Sequence, residues 1–187
     1  MITENVLSAD NQQERVPKNI EYLKYYLTGF ADGEGCFSIA ISRHKCAKFG
    51  WKIDPLFQVY QHKDNSYVLF LYKEILQCGY VSTKGGNPSC YVYCVDKIQT
   101  LINVVIPFFE SYPLIGEKYQ NFLLFKQIVL GLSKKEQSTI HGFIRLAKLA
   151  FQMNRNGKYR KHTFEFIVSS LKQSSETNTP NTTTIRG

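Results

Sequence analysis

A chain of 187 residues with a 43% hydrophobic share can bury one core of ordinary size, which excludes disorder of the whole polypeptide. Its 23 Lys and Arg outnumber 15 Asp and Glu, and the formal charge of +8 favours a polyanionic partner, nucleic acid or an acidic membrane surface. The longest apolar runs, 67–72 and 101–109, are shorter than the ~20 residues a bilayer-spanning helix needs, so a soluble protein with no membrane partner is expected.

Residues 1–18 are polar and show no hydrophobic period, so a flexible arm is expected there. Glu4, Asp10 and Glu14 fit neither a secretory signal nor an acid-poor presequence, and no import signal is visible. From Asn19 the residues Ile20, Leu23, Leu27, Phe30 and Ala31 recur at helical spacing up to Gly33 and Gly35, predicting a helix of about 13 residues. The period then changes to two. Phe37, Ile39 and Ile41 alternate with Cys36, Ser38, Ala40 and Ser42, and a second strand over 52–61 alternates Ile53, Phe57 and Val59 with Lys52, Asp54, Gln58 and Tyr60, Pro55 marking a bulge or an edge. Helical spacing returns over 67–77, and Gly79 opens a hairpin pairing 80–84 with 89–95. The pattern is α-β-β-α-β-β in an α+β fold, followed by helices near 98–110, 117–132, 140–152 and 163–172. The Ser, Thr and Asn-rich stretch 174–187 is read as a disordered tail, which leaves 19–173 as one domain.

The five cysteines, Cys36, Cys46, Cys78, Cys90 and Cys94, are odd in number, contain no CxxC pair and imply a reducing compartment. Zinc on Cys90 and Cys94 with His44 or His62 would match no common finger spacing, and small buried apolar side chains are the simpler identity of the thiols.

At the end of the first predicted helix the chain reads Leu27-Thr28-Gly29-Phe30-Ala31-Asp32-Gly33-Glu34-Gly35, then Cys36-Phe37-Ser38-Ile39. Gly29 and Gly33 lie four residues apart on one helical face, which lets two such helices pack with their backbones almost touching. Glu34 follows at the helix end, so pairing would bring two carboxylates together, and like charges so close repel unless a cation lies between them. A carboxylate centre without His suits Mg²⁺, with waters and phosphate completing its shell, and metal-assisted phosphodiester hydrolysis is the natural chemistry. Standing alone, Gly-Glu-Gly after a helix is also what an ordinary C-cap turn with an exposed acid looks like.

This stretch resembles the LAGLIDADG motif of homing endonucleases in its F-x-D-G-E-G variant, and the resemblance extends over about Glu21 to Lys172, more weakly after Val95. It implies an α-β-β-α-β-β-α core with additional C-terminal helices and an antiparallel, saddle-shaped sheet. It also implies a site-specific endonuclease that makes a double-strand break in a long DNA site and promotes mobility of its host intron, organelle-encoded and acting in a mitochondrion or chloroplast. Glu34 is the expected essential ligand, supported by the carbonyl of Gly33. Mn²⁺ is an expected substitute for Mg²⁺, and Ca²⁺ is expected to bind without supporting cleavage. Gln61 matches a family glutamine that orders water near the metals, and Lys118 resembles the lysine beside the scissile phosphate. Asn65 stands where some relatives carry a basic residue. No second motif is present, so the resemblance implies a homodimer joined through Leu27, Gly29, Phe30, Asp32 and Gly33, on a pseudo-palindromic site.

Strands laid along a major groove read bases with their polar face. The candidates are Ser38, Ala40, Ser42, Arg43 and Lys45 from the first strand and its loop, Lys52, Gln58 and Tyr60 from the second, and Ser82 and Lys84 from the hairpin. Gln58 suits adenine, Lys52 and Lys84 suit guanine or phosphate, and Arg43 suits either. The acid-free stretch 154–162, with Lys158, Arg160, Lys161 and His162, fits clamping of the phosphate backbone. Three other functions stay open: an intron-RNA maturase, a non-cleaving DNA-binding regulator on the same scaffold, and a basic membrane-surface protein. An intact Glu34 opposes the regulator, because a carboxylate facing phosphates repels them. The membrane reading lacks the Lys-rich amphipathic helix it would need.

Overall fold

The computed structural model describes residues 19–156 and 160–176. The arm expected over 1–18, residue Lys158 of the basic stretch and the tail beyond 176 lie outside the described residues.

Helix α1, Ile20–Glu34, begins where the Asn19 side chain accepts the Glu21 amide at 2.9 Å, a standard N-cap. Its inner face is Leu23, Leu27, Thr28 and Ala31, all buried. The chain then passes without a loop into β1, Gly35–Arg43. Gly35 is extended, with φ −78°, and caps the helix through its N–H to the Ala31 carbonyl. A Cβ at Gly35 would stand 2.6 Å from the Ala31 oxygen, so glycine is required here by close approach and not by backbone conformation.

Strand β2, Trp51–His62, pairs antiparallel with β1 in unbroken register from Gly35 opposite Val59 to Arg43 opposite Trp51. Pro55 sits opposite Ile39 without a bulge. It is tolerated because β4 joins β2 only from Phe57 onward, so on that side Pro55 lies on a free edge that needs no donor. Helix α2, Tyr67–Leu76, leads to β3, Tyr80–Lys84, and β4, Asn87–Val95. The four strands form one antiparallel sheet in the order β1-β2-β4-β3.

The next helical segment, α3, is composite: Ile98–Thr100, a π-helical Leu101–Val105, and Ile106–Ser111. The widening comes just before Pro107, which has no N–H and whose ring crowds the preceding turn. Helices α4, Lys118–Ser133, α5, Ile140–Asn156, and α6, Phe164–Glu176, complete the fold. Since α6 runs to Glu176, the boundary expected at 173 falls inside a helix, and residues 174–176 are ordered in place of the predicted disorder. Buried Ile167 and Leu171 anchor this helix in the core.

Odd-numbered side chains of β1 and β2 face the helices. Phe37 stacks on Phe57 at 5.0 Å and meets Phe109, Phe122 and Phe125, while Tyr72 stacks on Tyr93 at 5.4 Å. The Tyr72 hydroxyl donates to the Leu27 carbonyl, which ties α2 to α1. Even-numbered residues face away: Ala40, Ser42 and Lys52 are exposed, and Ser38, Gln58 and Tyr60 are half-buried. No described helix is long and apolar enough to cross a membrane.

Replacing Gly35 by Ala is expected to destabilise the fold by about 2 kcal/mol through overpacking against Ala31, lowering the melting temperature by about 4–8 °C. An unchanged thermal transition by circular dichroism would show that this junction relaxes freely.

Candidate active site and nucleic-acid interface

Glu34 is the last residue of α1; its side chain is exposed and among the described residues makes no salt bridge. Its two neighbouring polar groups are committed. Asp32 turns away from the helix end, and its Oδ2 accepts the amides of Ile115 at 3.0 Å and Gly116 at 2.8 Å. Its Oδ1 is buried with no hydrogen-bond partner among the described atoms. Lys118 opens α4 and donates its ammonium to the carbonyls of Ala31 at 2.9 Å and Gly33 at 3.0 Å. A cation thus satisfies the last carbonyls of α1 and complements the negative end of its dipole. Burial holds the Lys118 pKa below the ordinary lysine value, against the opposing pull of Cys36, Asp32 and Glu34.

Asp32, Gly33 and Lys118 edge a cavity of about 780 Å³ that Cys36, Asn121 and Asn154 also line. The Cys36 thiol is pushed up by burial, with Lys118 and Ser38 opposing, so it stays protonated at neutral pH. Asn154 takes the left-handed conformation, φ 48°, which asparagine tolerates better than most residues. Its amide donates to Asn121 Oδ1 at 2.8 Å and its Nδ2 to the Phe37 carbonyl at 2.9 Å, so one residue ties α5 to α4 and β1. Sequence reasoning singled out neither asparagine as part of the site; an Asn near the end of a helix, ahead of a Gly-bearing basic stretch, was the available signal for Asn154.

Gln61 lies two residues beyond Val59, the partner of Gly35, and so at the Glu34 end of β2. It is on the opposite face from Gln58, and its Oε1 accepts the His62 amide at 2.7 Å. The oxygen donors at this end are the Glu34 carboxylate, the Gly33 carbonyl, which has one lone pair beyond that used by Lys118, and the unpartnered Asp32 Oδ1. Such a set fits a hard divalent cation better than zinc, and one chain supplies fewer ligands than a full shell. Among the described residues no three His, Cys, Asp or Glu are grouped to hold a metal, Cys90 and Cys94 included.

The open face of α1 carries Gly29 and Gly33, both exposed, where an added Cβ would meet nothing within 4 Å. Two predicted interface residues are corrected. Leu27 is fully buried in the protomer's own core, and the Asp32 side chain is spent on the 115–116 backbone. In their place Tyr22, 64% exposed, and Tyr26, 53% exposed, extend the Gly29–Gly33 face at spacings of 4, 3 and 4, with half-buried Phe30 beside Tyr26. That spacing was present in the sequence.

On the outer sheet face the Tyr60 hydroxyl donates to Gln58 Oε1 at 3.0 Å, and Lys84 lies 5.0 Å from the Tyr60 ring centre. Lys52 pairs with Asp54 at 2.8 Å, so part of its charge is neutralised. Lys45, Ser82 and Lys161 are exposed. Arg160 is corrected: its guanidinium donates to the carbonyls of Ile39 and Ala150, both at 2.7 Å, and lies over Phe151, so it fastens β1 to α5 and is not free to clamp phosphate. Burial depresses its pKa. Arg43 and His162 gather around Trp51 and Phe166.

Removing the Asp32 carboxylate with Asp32→Ala should release the 115–116 turn and cost about 2 kcal/mol of stability, the scale of charge-assisted hydrogen bonds to a half-buried acid. Urea unfolding checks this; an unchanged midpoint would mean that the two amides do as well with water.

The LAGLIDADG endonuclease family model matches residues 27–129, more than half of the chain. A probable intron-encoded endonuclease 2 of Neurospora crassa is 31% identical over 155 residues, which is 82% of this chain and 34% of that protein. The chain therefore spans about a third of the length of this curated relative. Among solved structures, the archaeal intron-encoded homing endonuclease I-Vdi141I complexed with DNA matches with a TM-score of 0.78 and 32% identity, over 84% of this chain and 99% of that one. I-SmaMI, bound to an uncleaved DNA target in the presence of calcium ions, matches with a TM-score of 0.67 and 28% identity, over 71% of this chain and 45% of that one.

Proposed function

The chain belongs to the LAGLIDADG endonuclease family, and on that premise we propose that it is a site-specific homing endonuclease that works as a homodimer on double-stranded DNA with Mg²⁺. The observation that carries this reading is the junction of α1 and β1: an exposed, unpaired Glu34 ends a helix whose outer face is two open glycines, beside a lysine-edged cavity and above a polar sheet face. Pairing of two copies through Gly29, Gly33, Tyr22 and Tyr26 would set two Glu34 carboxylates side by side. The near-complete match to I-Vdi141I, which is complexed with DNA, supports DNA as the partner. A twofold assembly meets its own symmetry on the duplex, so the target is a pseudo-palindrome.

In this mechanism Glu34 from each copy would hold the divalent cation, with the Gly33 carbonyl as a second oxygen. When bound, Mg²⁺ would supply Lewis acidity toward the phosphodiester and make water a better nucleophile. Lys118, held at the helix end by two carbonyls, places a fixed positive charge at the cavity edge, where charge builds on the phosphate as it is attacked. Gln61, at the same end of β2, orders water. The sheet face, with Gln58, Tyr60, Ser82 and Lys84, lies in the major groove, and Lys161 with His162 contacts the backbone. The I-SmaMI complex with an uncleaved DNA target in the presence of calcium ions supports the expectation that Ca²⁺ permits binding here without cleavage. Intron-encoded relatives support a role in intron mobility, and we place that role in an organelle.

Glu34→Gln should abolish cleavage of a selected site while DNA binding persists or tightens, since a charge that repels phosphate is removed. Cleavage by that variant at the wild-type rate in a nicking assay would remove Glu34 from the mechanism. Gly33→Leu should keep the protomer folded, because open space surrounds the position, yet shift light scattering from dimer to monomer; a dimer that persists would move the interface elsewhere.

A further inference from the structure

We propose that the turn at 114–116 forms a second contact between two copies of this chain, with Ile115 of each seated against Phe30 of the other; this rests on the homodimer reading above. Ile115 is 95% exposed, more than any other large apolar side chain among the described residues. An isolated exposed isoleucine is ordinary on a protein surface. This one is held in place. Asp32 accepts the Ile115 amide at 3.0 Å and the Gly116 amide at 2.8 Å, and a Cβ at Gly116 would stand 3.0 Å from Asp32 Oδ1. Leu114 beside it is buried. Tyr112 rests edge-on against Tyr25 at 5.1 Å, accepts the Thr28 hydroxyl on its carbonyl at 3.1 Å and donates its own hydroxyl to Glu21 at 3.0 Å. The segment is thus fixed at both ends before a partner arrives, which lowers the entropy lost when Ile115 is covered.

The residues of α1 that hold this segment, Glu21, Tyr25, Thr28 and Asp32, form one stripe at helical spacing, and it adjoins the stripe Tyr22, Tyr26, Gly29 and Gly33. The 112–116 segment is therefore one wall of the open helical face. Phe30 borders the other side: it lies two residues before Asp32, about 200° around the helix, half-buried and 6.2 Å from the Tyr26 ring.

Symmetry then selects what each wall meets. For two Glu34 tips to come together, the α1 helices must lie side by side and point the same way, related by a twofold axis running along them. That rotation carries each wall to the opposite side of the axis, so the Ile115 wall of one copy faces the Phe30 wall of the other, and the contact occurs twice. Both side chains are apolar, and at Gly29 and Gly33 nothing projects that would hold the two walls apart. Asp32 is a positioning residue in this contact: it acts on the second copy through Ile115.

The test is the dimer dissociation constant of the full chain, measured by sedimentation equilibrium for wild type, Ile115→Ser, Ile115→Glu and Phe30→Lys, each first shown to melt cooperatively. Ile115→Ser should weaken the dimer by about tenfold or more. Ile115→Glu and Phe30→Lys should each be monomeric alone and form a mixed dimer when combined, since that pairing keeps one native contact and sets opposite charges at the other. Asp32→Ala should weaken the wild-type dimer yet add less than about twofold to the effect of Ile115→Ser, the non-additivity of groups that act as one. A larger addition would overturn the role given to Asp32. Ile115 variants that dimerise like wild type would overturn the contact, and if they also cut DNA poorly, Ile115 serves the duplex instead. Should Phe30→Lys fail to fold, the two Ile115 variants decide by themselves. Wild type that stays monomeric both free and on DNA would sink the homodimer reading itself, whereas a wild-type dimer indifferent to Ile115 sinks this inference alone.

Discussion

The structure depends on the contact between Ala31 and Gly35. A helix that becomes a strand with no intervening loop must bring the strand's first residue against the last helical turn, and here the gap leaves no room for a Cβ. That closeness leaves Asp32, Gly33 and Glu34 as the whole of the last turn, with Glu34 at the end of the helix. It also fixes the phase of the sheet. With Gly35 facing the core, Phe37, Ile39 and their partners on β2 follow on the same side, and Ser38, Ala40 and Ser42 face outward.

Around this junction the protein uses charge to build as well as to bind. Lys118 closes the carbonyl end of α1, Asp32 holds the 115–116 backbone, and Arg160 joins β1 to α5. Each of these groups is partly buried, and a partly buried charge needs several partners to offset its lost hydration. The positive charge that remains free is thinner than the composition suggests, and it rests on exposed residues such as Lys45, Lys84 and Lys161. The π-helical widening before Pro107 and the left-handed Asn154 are irregular points of the helical layer. Asn154 lies at the cavity wall, where strain is tolerated because three hydrogen-bonded elements over-determine it.

The apolar outer face of α1 is the counterpart of that economy. Tyr22 and Tyr26 expose large rings beside two glycines, an arrangement that in water favours covering by another surface of matching shape. The proposed pairing of two copies would cover this face and bring one Glu34 from each to the same place.

Much of this was legible in the residues alone. Periods of 3.6 and 2 set the order of helices and strands, the two faces of the sheet and the position of Glu34, because side-chain direction along a regular backbone is a local property. The same locality made Gly29 and Gly33 recognisable as one open face. Partnership between distant residues was not legible. Nothing in the spacing of Asp32, Lys118 or Arg160 tells a binding charge from a structural one, since the distinction lies in which carbonyls and amides the fold brings within 3 Å of each. Leu27 and Tyr22 differ in that same respect: both sit on an apolar helix, and only packing against α2 and the sheet decides which is inside. The sequence by itself determined the elements, their faces and the acid at the helix end; tertiary structure decided which charges remain free, because that depends on contacts between segments some 80 to 120 residues apart.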